Sequence, residues 1–284
     1  MTMGLFGFRN RVVRLSLYAR TDVGRARDHN EDNFMVADLT TMRPILTPEV
    51  REHLVGDKGS LLVVADGMGG AAAGELASAM ATKIIYDQML ATWIEGRRSD
   101  FRSFLTFIQQ AIEAANHDIH RRSLAEPGLS GMGTTLTAAG ILGDRIGFAQ
   151  IGDSRAYLVR QGQVEQVTRD QSLTRRLIDE GRITEAEAES SPGRNIILQA
   201  LGPRPSVEVA VSERTACRGD ILVLCSDGLS GVVSSDEILE VVTRNHDPAV
   251  SCEGLVELAN SRGGPDNITV IVARLDGPGL REPT

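Results

Sequence analysis

Apolar residues recur along this chain with two different periods. Runs of alternating or continuous apolar character predict strands near Val12–Ala19, Asn33–Ala37 and Leu61–Ala65. Two helical stripes follow. Leu76, Met80 and Ile84, with Ala77, Ala81 and Ile85 beside them, form the first; Phe104, Leu105, Ile108, Ile112, Ala115 and Ile119 form the second. From Thr134 the pattern shortens to strands at Thr134–Ile141, Ile146–Ile151, Ala156–Arg160 and Val164–Gln166, joined by Gly-containing turns at 142–145 and 161–163. A polar, helix-prone stretch covers Gln171–Glu189. Strands return at Val207–Val211 and Ile221–Cys225, helices at Asp236–Thr243 and Pro248–Ser261, and a last strand at Asn267–Arg274. Strands interleaved with helix pairs, without strict β-α-β alternation, predict a layered α+β domain. The segment Thr40–Gly59 is longer than a hairpin needs, and Thr47-Pro48-Glu49 within it reads as a helix cap. The Gly- and Pro-containing tail Gly277–Thr284 reads as disordered.

Bulk properties change this picture only by exclusion. At 284 residues, with 42% hydrophobic and 24% charged, the chain suits one large globular domain. A net charge of −8 argues against a nucleic-acid surface. Cys217, Cys225 and Cys252 are too few and scattered for a disulfide framework or zinc site, and none has an Arg six positions on, as a cysteine-phosphatase loop requires. They read as small buried apolar residues. The five His residues lack zinc-ligand spacing. No apolar stretch reaches membrane-spanning length, and the basic segment Met1–Arg14 lacks the core of a signal peptide, so the expectation is a cytoplasmic protein.

The chemistry lies in a repeated grammar, an apolar strand that ends in Asp. It occurs at Leu61–Asp66, at Phe148–Asp153 and at Ile221–Asp227, and Asp266 immediately precedes the last strand. One Asp-Gly is most often a turn. Several at strand ends suggest carboxylates gathered at one sheet edge, which repel unless cations neutralise them, and an all-oxygen set suits Mg²⁺ or Mn²⁺. The glycines after Asp66 also match the dinucleotide fingerprint G-x-G-x-x-A. Asp66 would place negative charge beside a pyrophosphate, however, and no repeated β-α-β follows, so the metal reading is preferred, with the Gly67 carbonyl as a ligand. Near the N-terminus, Arg27-Asp28-His29-Asn30-Glu31-Asp32 supplies a guanidinium suited to gripping two phosphate oxygens, and further acids.

These motifs, with Gly133-Thr134-Thr135-Leu136, Gly152-Asp153-Ser154-Arg155, Ser226-Asp227-Gly228-Leu229 and Gly264-Pro265-Asp266-Asn267, occur in one order between Leu15 and Arg274. The chain thereby resembles the metal-dependent protein phosphatases of type 2C (the PPM family), particularly their bacterial branch. The resemblance implies a four-layer α-β-β-α sandwich of two antiparallel sheets flanked by helix pairs. One phosphatase domain would span 10–276 with a mobile flap at about 168–195, and 1–9 and 277–284 would be flexible termini. It further implies that Asp66 bridges two cations, that the Gly67 carbonyl binds one, and that Asp227 and Asp266 bind the other. Glu31 and Asp32 would act through metal-bound waters, Asp153 would help hold a third, weaker cation, and Arg27 would clamp the phosphate. Two Mn²⁺ or Mg²⁺ ions roughly 3.5–4 Å apart would share and activate the attacking water. Many eukaryotic members carry a His after the Asp-Gly as a proposed general acid; this chain has Met68, whose thioether donates no proton, so a metal-bound water would protonate the leaving group. The expected substrates are phosphorylated Ser/Thr proteins and the expected counterpart a Ser/Thr kinase, with the protein acting as a monomer. Two alternatives remain: a phosphoprotein-binding regulator of the same fold with little turnover, and a small-molecule phosphohydrolase. The absence of an Asp-x-Asp nucleophile pair argues against the aspartyl-phosphate design.

Overall fold

A computed structural model describes residues 12–45, 51–96, 100–189, 191–194 and 196–283. The expected flexible N-terminus, residues 1–9, and the cap at Thr47–Glu49 lie outside these residues.

The chain opens with β1 (Val13–Asp22), β2 (Asp32–Asp38), β3 (Arg43–Ile45), β4 (Arg51–Val55) and β5 (Ser60–Met68), then two long helices, α1 (Ala71–Met89) and α2 (Phe101–Ala125). The middle consists of β6 (Gly133–Thr134), β7 (Leu136–Leu142), β8 (Arg145–Ile151), β9 (Arg155–Arg160) and β10 (Gln163–Gln166), then the short helices α3 (Leu173–Asp179) and α4 (Glu185–Glu189). It ends with β11 (Ala210–Thr215), β12 (Ile221–Cys225), the single turn α5 (Asp227–Ser230), α6 (Ser235–Arg244), α7 (Pro248–Ser261) and β13 (Ile268–Asp276). One sheet has the order β10-β9-β12-β13-β1-β4 and the other β11-β8-β7-β5-β2-β3, with β6 paired to the end of β5. Every ladder among the described strands is antiparallel.

Period-two alternation divides the core into three layers. Along β5, Leu62 and Val64 face the opposite sheet while Leu61 and Val63 face α1 and α2. Along β13, Ile271 and Ala273 face the opposite sheet while Val270 and Val272 face α7. Both faces of each central strand are therefore covered, which explains their nearly continuous apolar runs. The result is the expected four-layer α-β-β-α sandwich. On α1 the fully buried stripe is Ala77, Ala81, Ile85 and Met89, whose small residues let the helix lie close to its sheet, with Leu76, Met80 and Ile84 at its margin. A capping box between Ser234 and Glu237 starts α6, and Asp247 with Pro248 starts α7. The three cysteines are buried and unpaired.

The structure departs from the sequence reading in four places. The Thr40–Gly59 excursion contributes an edge strand to each sheet, β3 to one and β4 to the other. The helix-prone stretch 171–189 is broken into two short helices, because Gly181 takes a positive φ of 66° and ends α3. The strand expected at Val207–Val211 lies instead at Ala210–Thr215; Val209 is buried in the helix-side core without being in a strand. The C-terminal tail is docked where disorder was expected. Leu280, 4% exposed, fills the inter-sheet core, and the Arg218 side chain bonds to Glu282 at 2.6 Å. No described helix is long and apolar enough to cross a membrane.

Candidate functional site

Alternation also aims the acids. Asp66 continues the Leu62–Val64 row of β5, and Asp32 the Phe34–Val36 row of β2, so both carboxyls point between the sheets. The β2–β5 ladder places Asp32 directly opposite Asp66. Like charges facing each other across a ladder are destabilising, and more so with little water between them. From the other sheet, Asp227 follows β12 and Asp266 precedes β13, adjacent strands whose ends reach the same edge. Asp153 arrives on the turn between β8 and β9.

The electrostatics register this convergence. Burial raises the Asp32 carboxyl to about 7, and Asp227 and Asp266 push in the same direction. Asp66 lies well above the usual carboxylate range, through burial first and then Asp32, Asp227, Asp153 and Asp266. Burial, then Asp227 and Asp170, lift Asp153 to about 7. Asp227 is raised by burial and by Asp266, while a hydrogen bond with Asp66 opposes the rise. Asp66 and Asp227 keep an accessible edge, yet protein surrounds their carboxyls closely enough for burial to be the largest cause. Glu31 is also raised, chiefly by desolvation.

The sequence-predicted residues thus come together, with one unexpected pairing. Arg27 Nη2 bonds to Asp266 Oδ2 at 2.6 Å, joining the expected phosphate clamp to an expected metal ligand. Among the described residues, no three His, Cys, Asp or Glu side chains are placed closely enough as they stand to hold a metal ion. The donor set nonetheless suits a hard cation. It is all oxygen, it repels itself, and Asp153 Oδ1 is buried with no hydrogen-bond partner. The residues that could hold such ions are Asp66, the Gly67 carbonyl, Asp227, Asp266 and Asp153, with Glu31 and Asp32 beside them.

Gly67 itself is required by close approach. A Cβ there would lie 2.3 Å from the Gly74 carbonyl oxygen and 2.5 Å from that of Glu31. The strand end, the start of α1 and the Glu31 loop therefore meet backbone to backbone. This glycine run opens no nucleotide site, because β5 is antiparallel to both β2 and β7 and the chain makes no parallel crossover after α1.

Sequence reading missed the residues that hold the acids in place. Asn267, 5% exposed, accepts from the Glu31 amide (2.9 Å) and donates to the Val23 and His29 carbonyls (2.9 and 2.8 Å), pinning the loop that carries Arg27. The Ser226 hydroxyl donates to Asp32 Oδ2 at 2.7 Å and accepts from the Thr269 amide at 2.9 Å. Thr134 and Thr135 fasten the Asp66 backbone: the Thr134 hydroxyl and the Thr135 amide both donate to its carbonyl, at 2.9 and 2.8 Å. The hydroxyl of Thr135 accepts from the Asp66 amide at 3.2 Å. Asn267, Ser226 and Thr134 each adjoin an acid or a glycine in the quoted motifs, and Thr135 follows Thr134. That adjacency was the available signal, but it carried no role.

Known proteins resemble this chain over most of its length. Residues 51–260 match the family described as protein phosphatase 2C. The serine/threonine protein phosphatase PstP of Mycobacterium tuberculosis is 40% identical over 90% of this chain, which spans 44% of that longer protein. The serine/threonine phosphatase stp of Listeria monocytogenes is 36% identical, with 90% of this chain and 94% of the relative covered. The catalytic domain of PstP, solved in complex with two manganese ions, superposes with a TM-score of 0.76 at 38% identity, covering 93% of this chain and all of that one. Matching that family over residues 51–260, and 36–40% identical to these phosphatases over 90% of its length, the chain belongs to the protein phosphatase 2C family.

Proposed function

We propose that this protein is a metal-dependent phosphatase that removes phosphate from phosphoserine and phosphothreonine in other proteins. The observation that carries the reading is the cluster of mutually repelling acids, Asp32 opposite Asp66 with Asp227 and Asp266 from the second sheet, beside a guanidinium at Arg27. Asp66, the Gly67 carbonyl, Asp227 and Asp266 would together hold two Mn²⁺ or Mg²⁺ ions. Asp153, with its unpartnered oxygen, is assigned to a third, weaker ion. Glu31 and Asp32 orient water around the ions. Bound divalent cations supply a water nucleophile of lowered pKa and neutralise charge on the phosphoryl group. Arg27 turns from Asp266 to the substrate and holds two phosphate oxygens. We assign the phosphatase unit to residues 10–276, with Leu280 of the following tail packed into its core and the α3–α4 region, about 168–195, as its flap. A Ser/Thr kinase as its counterpart, a cytoplasmic location and a monomeric state complete the proposal.

Hydrolysis of p-nitrophenyl phosphate tests it. Activity should require added Mn²⁺ or Mg²⁺ and disappear in Asp66→Asn and Asp227→Asn. Full activity after EDTA treatment, or in either variant, would sink the metal mechanism. Phosphothreonine peptides should be turned over with a higher kcat/KM than small phosphate esters; the reverse order would favour a small-molecule phosphohydrolase. A non-catalytic regulator is the weaker reading, because Asp66, Asp227 and Asp266 are all present.

A further inference from the structure

A cavity of about 170 Å³ opens beside the acids, between Met68 and the strap formed by residues 197–207. Met68 ends β5 only two residues beyond Asp66, so the opening lies within reach of the residues flanking a phosphorylated side chain presented to the acids. The lining is Met68, Ile197, Leu198, Ala200, Pro203 and Val207, with Gln199 and Arg204 as its polar members. At roughly 30 Å³ per water, the space suits one medium-sized apolar side chain. Ile196, the next residue along the strap, leaves 49% of its surface exposed in the same stretch. A thioether wall is adaptable, which suits a site that accepts differently shaped apolar groups.

The cavity is preformed, because the middle of the strap is fastened to β6 and α2, while its start joins the flap. At its start, Leu198 N donates to the Gln171 carbonyl at 2.8 Å and Leu173 N to the Ile196 carbonyl at 2.9 Å. In its middle, Leu201 and Thr134 exchange backbone hydrogen bonds at 2.8 and 3.0 Å, and the Thr134 hydroxyl also donates to the Asp66 carbonyl at 2.9 Å. Buried Asn116 on α2 accepts from the Gly202 amide (2.9 Å) and donates to the Arg204 carbonyl (3.1 Å). Gln199 closes the far side, accepting from the Glu208 amide at 2.9 Å. Thr134 therefore holds the strap and Asp66 in one fixed relation. A side chain seated in the cavity and a phosphate at the acids would be held at a set separation, which is how remote binding energy aids a reaction.

We propose that this cavity is a substrate subsite that receives an apolar side chain near the phosphorylated residue of the target protein. The proposal rests on the phosphatase reading above and adds a selectivity to it. Arg204 at the lining disfavours a basic residue in the same place.

The test uses phosphothreonine peptides in which each position from three before to three after the phosphothreonine is Leu, Ser or Lys in turn, with p-nitrophenyl phosphate as a reference lacking flanks. At one position, Leu should exceed Ser by roughly tenfold in kcat/KM, the scale of one apolar group in a pocket. Ala200→Leu, which fills the cavity, should reduce that ratio to twofold or less. Ile197→Asp should do the same and make Lys the preferred residue there, a gain that misfolding does not produce. Because ratios within one variant are compared, a general loss of activity cancels. A wild-type protein that hydrolyses p-nitrophenyl phosphate but shows no apolar preference at any position overturns the subsite alone. So does a preference that survives both substitutions. A wild-type protein with no metal-dependent hydrolysis of the reference overturns the phosphatase reading, and the subsite with it.

Discussion

Replacing Asp32 by Asn should stabilise the protein in EDTA, by an amount set by pH. Asp32 is 7% exposed, so solvent screens it little. Its folded carboxyl titrates at about 7 against an ordinary 3.8. Holding it charged in the fold therefore costs ~4 kcal/mol. Between these two values the unfolded carboxyl has released its proton while the folded one retains it. The folded state then binds more protons, so stability falls as pH rises, and the loss is complete above about 7. Asn is neutral throughout and its oxygen still accepts from the Ser226 hydroxyl, now 2.7 Å from Asp32. The advantage of Asp32→Asn should be near zero at pH 4 and approach ~4 kcal/mol at pH 8. For a domain of this size that is roughly 8–12 °C in melting temperature. Circular-dichroism melts in EDTA from pH 4 to 8 measure it. Saturating Mn²⁺ should then stabilise wild type more than the variant, because wild type offers the cations the greater charge. An advantage independent of pH, or a variant less stable than wild type at pH 8 in EDTA, would refute the account of the acid cluster.

Arg27→Ala should raise KM for p-nitrophenyl phosphate by roughly tenfold, the scale of one charge-assisted contact, with a smaller change in kcat. Steady-state kinetics at saturating Mn²⁺ check it, and an unchanged KM would remove Arg27 from phosphate binding. Gly67→Ala should cost about 1–3 kcal/mol and most of the activity, because its Cβ would meet two backbone carbonyls at 2.3 and 2.5 Å; urea unfolding and the esterase assay report the two effects. Leu280→Ala should cost about 2–4 kcal/mol despite its position near the C-terminus, since the side chain is 4% exposed in the inter-sheet core. A variant that unfolds at the wild-type urea concentration would mean the tail is not docked in solution.

What the sequence made legible was local or repeated. Pro248–Ser261 was read to its ends because an Asp-Pro start and an apolar stripe both lie within the helix itself. β3 and β4 were missed because edge strands of three and five residues carry too little alternation to register, and the partner of β4 is the distant β1. The site divides along the same line. Four Asp residues at strand boundaries could be noticed because the grammar recurs, and their order supported a family. That Asp32 lies opposite Asp66, however, follows from the register of β2 on β5. That Asn267 spans Val23, His29 and Glu31 follows from β13 lying beside β1. Those relations set the strength of the site, because burial first, and the neighbouring acids after it, raise Asp32 and Asp153 to about 7 and create a demand for cations. The chain thus displays which atoms can bind a metal, whereas the fold determines how strongly they need one. Changes to Ser226, Thr135 or Asn267, none of them charged, should accordingly alter metal affinity by letting the acids move apart.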